Sequence, residues 1–243
     1  MDNKVRISKL LSERGICSRR EADRFLQGGQ VLVNGELVYE LGSKCHPSDL
    51  ITLRPMAQIR QQEKVTIILN KPVGFVSCQP EKDYIEAKEL VTEENQVMAK
   101  GGKRFDPSHL KKLSVCGRLD IDSKGLLVFT QDGVIAKKLI GENAGIEKEY
   151  LVFFEGTATK EALERLRFGL VLDDKPLKRA KVVLMKENLI AITLQEGRKR
   201  QIRRAFEMVG LKVTSLKRVR IGGVSLGDLP LGKWRFLEEH EVF

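Results

Sequence analysis

The sequence predicts an α+β protein in two units: a small helix–helix–hairpin unit over residues 1–54 and a larger mixed α/β unit over residues 64–243. Three observations carry this. Two apolar helical periodicities in the first forty residues are followed by Val31-Leu-Val-Asn34-Gly35-Glu-Leu-Val38, an Asn-Gly hairpin signal. Short apolar runs at 65–69, 126–129, 181–184 and 189–194 read as strands, with helical stretches between them. Residues 55–63 begin with proline, are polar and show no strong periodicity, so the linker is placed there.

In the first unit, Ile7, Leu10 and Leu11 share a helical face and Gly15 is a stop signal. Ser18-Arg-Arg-Glu21 has the form of a capping box, with Ala22, Phe25 and Leu26 behind it. Between Lys4 and Arg24 there are seven basic residues against three acidic ones, Lys9, Arg19 and Arg20 among the basic. Such a face is either solvated or meets a polyanion.

In the second unit, Val65–Leu69 reads as a buried strand, and Asn70-Lys71-Pro72-Val-Gly74 as a turn. Lys71 then either holds that loop or meets a phosphate. Residues 79–113 are an acidic, possible helix (86–94), a basic loop (100–104) and a short helix (107–112), either facing a polyanion or forming a solvated insertion. Gly117-Arg118-Leu119-Asp120 is a loop feeding the strand Leu126–Phe129. That places an arginine and a carboxylate at the edge of a core, where a rigid scaffold and low dielectric favour chemistry. Val134–Ile140 is an amphipathic helix, Ile146–Phe154 a strand containing Tyr150, and Thr159 opens a further helix. Gln195-Glu-Gly197-Arg198-Lys-Arg-Gln-Ile-Arg203 runs from strand through a glycine turn into a helix; residues 198–220 hold nine Lys or Arg against one Glu.

Composition narrows the function. The chain has 243 residues, 42% hydrophobic content and a net charge of +10, a globular protein suited to an anionic partner. It has no 18-residue apolar run and no signal-peptide pattern, so the expectation is a cytoplasmic protein away from membranes. Four dispersed cysteines and three histidines give no metal-ligand spacing, so reduced thiols and no metal are expected. Neither a Walker loop nor a Rossmann glycine pattern is present.

The motifs then converge. Gly-Arg118-Leu-Asp120, Asp122-Ser-x-Gly125-Leu-Leu and Thr130-x-Asp-Gly133 together resemble the signature of pseudouridine synthases of the RsuA-type branch. Asn-Lys71-Pro-x-Gly, Lys148-Glu-Tyr150 and Gly-Arg198-x-x-Gln-Ile-Arg203 match further motifs of that family, and the tail from Arg218 resembles the same branch. Residues 4–53 resemble the S4 RNA-binding domain. The resemblance implies an S4 domain joined to a synthase domain with a largely antiparallel central sheet. It implies isomerisation of uridine to pseudouridine, most often in ribosomal RNA with transfer RNA as the other option, and without any cofactor. It makes Asp120 the nucleophile, Arg203 its ion-pair partner and Tyr150 a stacking ring or proton carrier. Arg118, Lys71, Arg198, Arg19, Arg20 and Lys9 become RNA contacts. For Asp122, a turn or cap role is preferred over a metal site shared with Asp120. Attack at C6 of the base and at C1′ of the ribose both stay open. The protein is expected to be a monomer; the competing reading is a non-catalytic S4-type RNA-binding factor associated with the ribosome.

Overall fold

A computed structural model describes residues 3–79, 83–98, 101–141 and 144–243. Helices α1 (Ile7–Glu13) and α2 (Arg19–Gln27) open the first unit. The capping box at α2 is formed on both sides: Glu21 N–H donates to Ser18 Oγ and Ser18 N–H to Glu21 Oε2. Strands β1 (Val31–Val33) and β2 (Glu36–Val38) pair antiparallel, and β3 (Ile51–Leu53) flanks β1. The hairpin turn needs positive φ at both central residues, and Asn34 (51°) and Gly35 (88°) supply it. Ile7, Leu11, Ala22, Leu26 and Val31 form the core of this unit.

Residues 55–63, where the linker is placed, carry a helix that the lack of periodicity hid: α3 spans Pro55–Gln62. Proline at the first turn is pre-set for a helix start. Gln58 donates to the Leu53 carbonyl at 2.7 Å, and Ala57 is buried against the first unit's core. A single small buried residue leaves no apolar period to read.

The second unit is organised on β4 (Thr66–Lys71), β5 (Lys124–Thr130), β6 (Lys148–Glu155), β7 (Lys181–Lys186), β8 (Leu189–Leu194), β9 (Lys212–Ile221) and β10 (Trp234–Phe236). Among the described residues the sheet order is β7-β8-β6-β9-β5-β4-β10, with Ser114–Cys116 beside β5 and Val224–Ser225 beside β9. Every pairing is antiparallel except β9 with β5. Helices α5 (Lys160–Arg167) and α6 (Gln201–Glu207) put Leu166, Ile202 and Phe206 into one core cluster, and α4 (Gly133–Ile140) puts Leu139 into the other. Ile67, Leu69, Leu127 and Phe129 belong to the first cluster, Ile68, Leu126 and Val128 to the second. β4 and β5 are thus buried on both faces, which is why their sequences are unbroken apolar runs.

The stretch from 83 to 113 contains short 3₁₀ turns at Ala87–Leu90, Glu93–Asn95 and Pro107–Leu110. It packs on the sheet through Ala87, Val91 and Leu113, and Thr92 accepts the indole N–H of Trp234 at 2.8 Å. Of the expected basic loop, Lys100 lies outside the described residues.

The two units touch. Lys64 forms an ion pair with Glu21 of the capping box and stands 3.9 Å from Asp132. Gly133 lies so close to Ser18 that a Cβ there would fall 2.5 Å from the serine's own.

Candidate active site

The parallel seam between β9 and β5 defines the site. Arg218 stands opposite Gly125 in that pairing. Gly125 has φ +107°, and a Cβ on it would lie 2.2 Å from the Arg218 carbonyl oxygen. Only glycine allows the two backbones this approach. On β9, Arg218 is in phase with Leu216, a core residue, and it too is buried. Its Nε donates to the Leu126 carbonyl at 2.8 Å and its Nη1 to the Arg118 carbonyl at 3.2 Å. The guanidinium therefore bridges the two ends of the loop that carries Asp120.

That loop is held at every peptide. Ser77 Oγ donates to the Leu119 carbonyl at 2.7 Å and accepts the Leu119 N–H at 2.9 Å. Ser123 N–H donates to the Asp120 carbonyl at 3.0 Å and Gly74 N–H to that of Ile121 at 2.9 Å. Arg203 Nη2 donates to the Asp122 carbonyl at 2.9 Å. Five successive carbonyls, from Arg118 to Asp122, have partners. The Asp120 carboxylate, half-buried, makes no hydrogen bond or ion pair with any described residue.

Asp120 faces a cleft of about 870 Å³ that Arg118, Tyr150, Arg198, Arg200, Arg203 and Arg218 also line. Eight Lys or Arg line it against two carboxylates, Asp120 and Glu196. Tyr150 reaches it from β6 with 8% exposure, its ring centroid 6.0 Å from the Arg218 Cζ. The tyrosine hydroxyl has no partner among the described residues. A free carboxylate, a ring and a cationic wall suit an anionic substrate carrying a flat base.

The expected pairing of Arg203 with Asp120 is not what the structure contains. Arg203 Nε stands 3.2 Å from Asp122 Oδ2, misaligned for a hydrogen bond, and Arg200 Nη2 reaches the same oxygen at 3.0 Å. Asp122 thus carries two ion pairs where a turn or cap role was preferred. Burial pushes its carboxyl pKa up, but the Arg200 hydrogen bond and both guanidinium charges outweigh that and hold it below the usual range. The reason is local: Arg203 also donates to the Val213 carbonyl at 3.2 Å, which anchors its head beside residue 122.

Two other expected RNA contacts have their charge taken up by backbone carbonyls. Lys71 is fully buried and donates to the carbonyls of Pro72 and Phe75, both at 2.8 Å, so its ammonium is closed off from a phosphate. Burial lowers its pKa to about 8, against the pull of Asp122 and Asp120. Arg198 spends its guanidinium on the carbonyls of Leu172, Lys175 and Pro176, fixing the short Val171–Leu172/Lys175–Pro176 hairpin. Arg118 is exposed at the cleft, and Arg19 and Arg20 are exposed on α2. Lys9 is exposed on α1 with Glu13 3.6 Å away.

Sequence reasoning named Arg218 and Lys148 only as parts of motifs, without a role in the site, and gave Ser77 none. A signal existed for Arg218, a charge in step with a strand's core phase. Lys148 lines the cleft, and burial, with Arg218 adding to it, lowers its pKa. Among the described residues no group of three or more His, Cys, Asp or Glu is arranged to hold a metal ion, and no helix is long and apolar enough to cross a membrane.

Residues 65–208 match the family described as RNA pseudouridylate synthase, and residues 5–51 match the S4 domain. The chain belongs to the RNA pseudouridylate synthase family. Its relatives include the dual-specificity RNA pseudouridine synthase RluF of Escherichia coli K12, 35% identical over 99% of this chain and 78% of that protein. Ribosomal large subunit pseudouridine synthase B of Bacillus subtilis is 33% identical over 98% of this chain and 93% of that one. A crystal structure of a pseudouridylate synthase superimposes with a TM-score of 0.64 at 27% identity, covering 97% of this chain and 96% of that chain. Membership makes the chain an RNA-modifying isomerase with an S4 domain at its N-terminal side. The fold class read from the sequence is the one the structure has, and a purely RNA-binding role is set aside.

Proposed function

We propose that this synthase isomerises a uridine of ribosomal RNA, with Asp120 as the nucleophile. The observation that carries the reading is the Asp120 carboxylate, unpaired among the described residues at a basic cleft, on a loop whose carbonyls from Arg118 to Asp122 are all bonded. Such a group is free to attack, and its frame needs no rearrangement when it does. Asp120 bonds to C1′ of the ribose or to C6 of the base, and the bond between uracil N1 and C1′ breaks. The base turns, C5 joins C1′, the bond to Asp120 breaks to restore the carboxylate, the C5 proton leaves and N1 ends protonated. No net oxidation occurs and no co-reactant is consumed. Tyr150 offers its face to the extruded base and its hydroxyl as a carrier for the C5 proton. Arg118 occupies the space the nucleotide vacates or binds a flanking phosphate.

Ribosomal RNA is favoured by the relative named as a large-subunit synthase; the name of the dual-specificity relative keeps a second substrate, transfer RNA, in view. The S4 unit grips the RNA backbone through Arg19 and Arg20 on α2 and Lys9 on α1. The protein acts as a monomer in the cytoplasm.

The test is release of tritium from ribosomal RNA transcripts labelled at uridine C5. Parent protein releases label in step with pseudouridine formation. Asp120→Asn binds the same RNA and releases none. Substantial turnover by a pure sample of that variant rules Asp120 out.

A further inference from the structure

We propose that Ser77 is a positioning residue for the reaction, setting the place of Asp120 through the peptide groups of Leu119. The inference rests on Asp120 being the nucleophile. The buried Ser77 hydroxyl is used twice on one residue, donating to the Leu119 carbonyl at 2.7 Å and accepting the Leu119 N–H at 2.9 Å. Leu119 immediately precedes the nucleophile, and its side chain is buried in the main core cluster. The same loop is tied again where Gly74 N–H meets the Ile121 carbonyl, so the segment after β4 holds both sides of Asp120. Arg218 closes the far side through the Arg118 carbonyl.

Ser77 does not line the cleft and contributes no charge to it. Its effect is on where the carboxylate stands. No described residue holds the Asp120 carboxylate by a hydrogen bond or ion pair, so a shift of Leu119 passes to it through the backbone. A displacement near 1 Å at a reacting group costs roughly 100-fold in rate. Removing the hydroxyl leaves the Leu119 N–H and carbonyl buried without a partner, which favours movement of that peptide toward water.

The experiment compares Ser77→Ala, Ser77→Val and Ser77→Thr in the full chain, by single-turnover kinetics and RNA binding on one transcript. Val and Thr have nearly the same shape, so their difference isolates the hydroxyl from its packing. The Ala and Val variants should lose roughly 10- to 100-fold in the rate at saturating RNA while affinity stays within about twofold. The Thr variant should recover most of that rate. Thermal unfolding of each variant confirms that the compared proteins are folded. Parental rates in Ser77→Ala overturn the proposal, as do equal rates for Val and Thr, or a loss confined to affinity. Asp120→Asn is run beside them. If it turns over, the reading of the nucleophile fails and the clamp fails with it. If it is dead while Ser77→Ala is fully active, only the clamp fails.

Discussion

Arg203 is partnered with Asp122 and not with Asp120: its Nε lies 3.2 Å from the Asp122 carboxylate and its Nη2 donates to the Asp122 carbonyl at 2.9 Å. Two carboxylates two residues apart therefore have different work. Asp120→Asn should abolish turnover with RNA binding intact. Asp122→Asn should keep measurable turnover, slowed about tenfold, because Arg203 retains its bonds to the carbonyls of residues 122 and 213. Single-turnover rates of the two variants check this. Equal and complete loss in both would reverse the assignment of roles.

Tyr150→Phe should leave folding and RNA affinity close to parental. The hydroxyl bonds to no described residue, so the fold loses no hydrogen bond with it, and the ring face remains. The single-turnover rate should fall at least tenfold if the hydroxyl carries the C5 proton. An unchanged rate assigns that proton to water.

Gly125→Ala should destabilise the fold by roughly 2–4 kcal/mol and remove activity. The new Cβ would meet the Arg218 carbonyl at 2.2 Å, between two backbones that have no room to part. Urea unfolding measures the loss. A variant with parental stability would mean the seam can open without cost.

Lys71 gives a pH signature. Its pKa is lowered by burial from 10.5 to about 8 in the folded protein. Between those values the unfolded chain binds more protons than the folded one, so this group makes stability rise with pH across that window. Below about pH 8 both states are protonated and its contribution is flat. The full span is on the order of 3 kcal/mol at 1.36 kcal/mol per unit. Cys17 and Cys116 act oppositely above pH 9, since burial raises both to about 12 and only the unfolded thiols ionise there. Subtracting the stability of Lys71→Met from that of the parent at each pH cancels the cysteines. The difference should shift in the parent's favour from about pH 8 upward; a flat difference would sink the claim.

Arg19→Gln with Arg20→Gln should weaken RNA binding and flatten its salt dependence, by up to about two units of slope. The rate at saturating RNA should hold, because both residues are on α2 and neither lines the cleft. Affinity measured over a salt series decides it. An unchanged slope would show that these cations face no phosphate.

Features decided within a few residues were legible in the sequence. The Ser18–Glu21 capping box, the Asn34-Gly35 turn and the doubly buried runs of β4 and β5 each declare themselves locally. Charge was legible too, but its depth was not. Arg198 read as a cation for RNA, and Lys71 as either that or a support for its loop, because sequence shows the charge and hides the carbonyls that absorb it. The choice Arg203 makes between Asp120 and Asp122 depends on contacts across 81 residues, beyond any motif's reach. α3 escaped notice because it buries little besides Ala57.

The seam of β5 and β9 also dates the site's birth. The bonds from Arg218 to Leu126 and Arg118 close loops of 92 and 100 residues. Such long closures come late, after nearer contacts have shortened the search. A growing chain that has emerged only as far as α6 already has Asp120, Tyr150 and Arg203, yet β9 is missing and the loop has no brace on its far side. Competence is therefore tied to a strand that arrives about a hundred residues after the nucleophile, so β9 must be made and docked before this enzyme can act on any RNA.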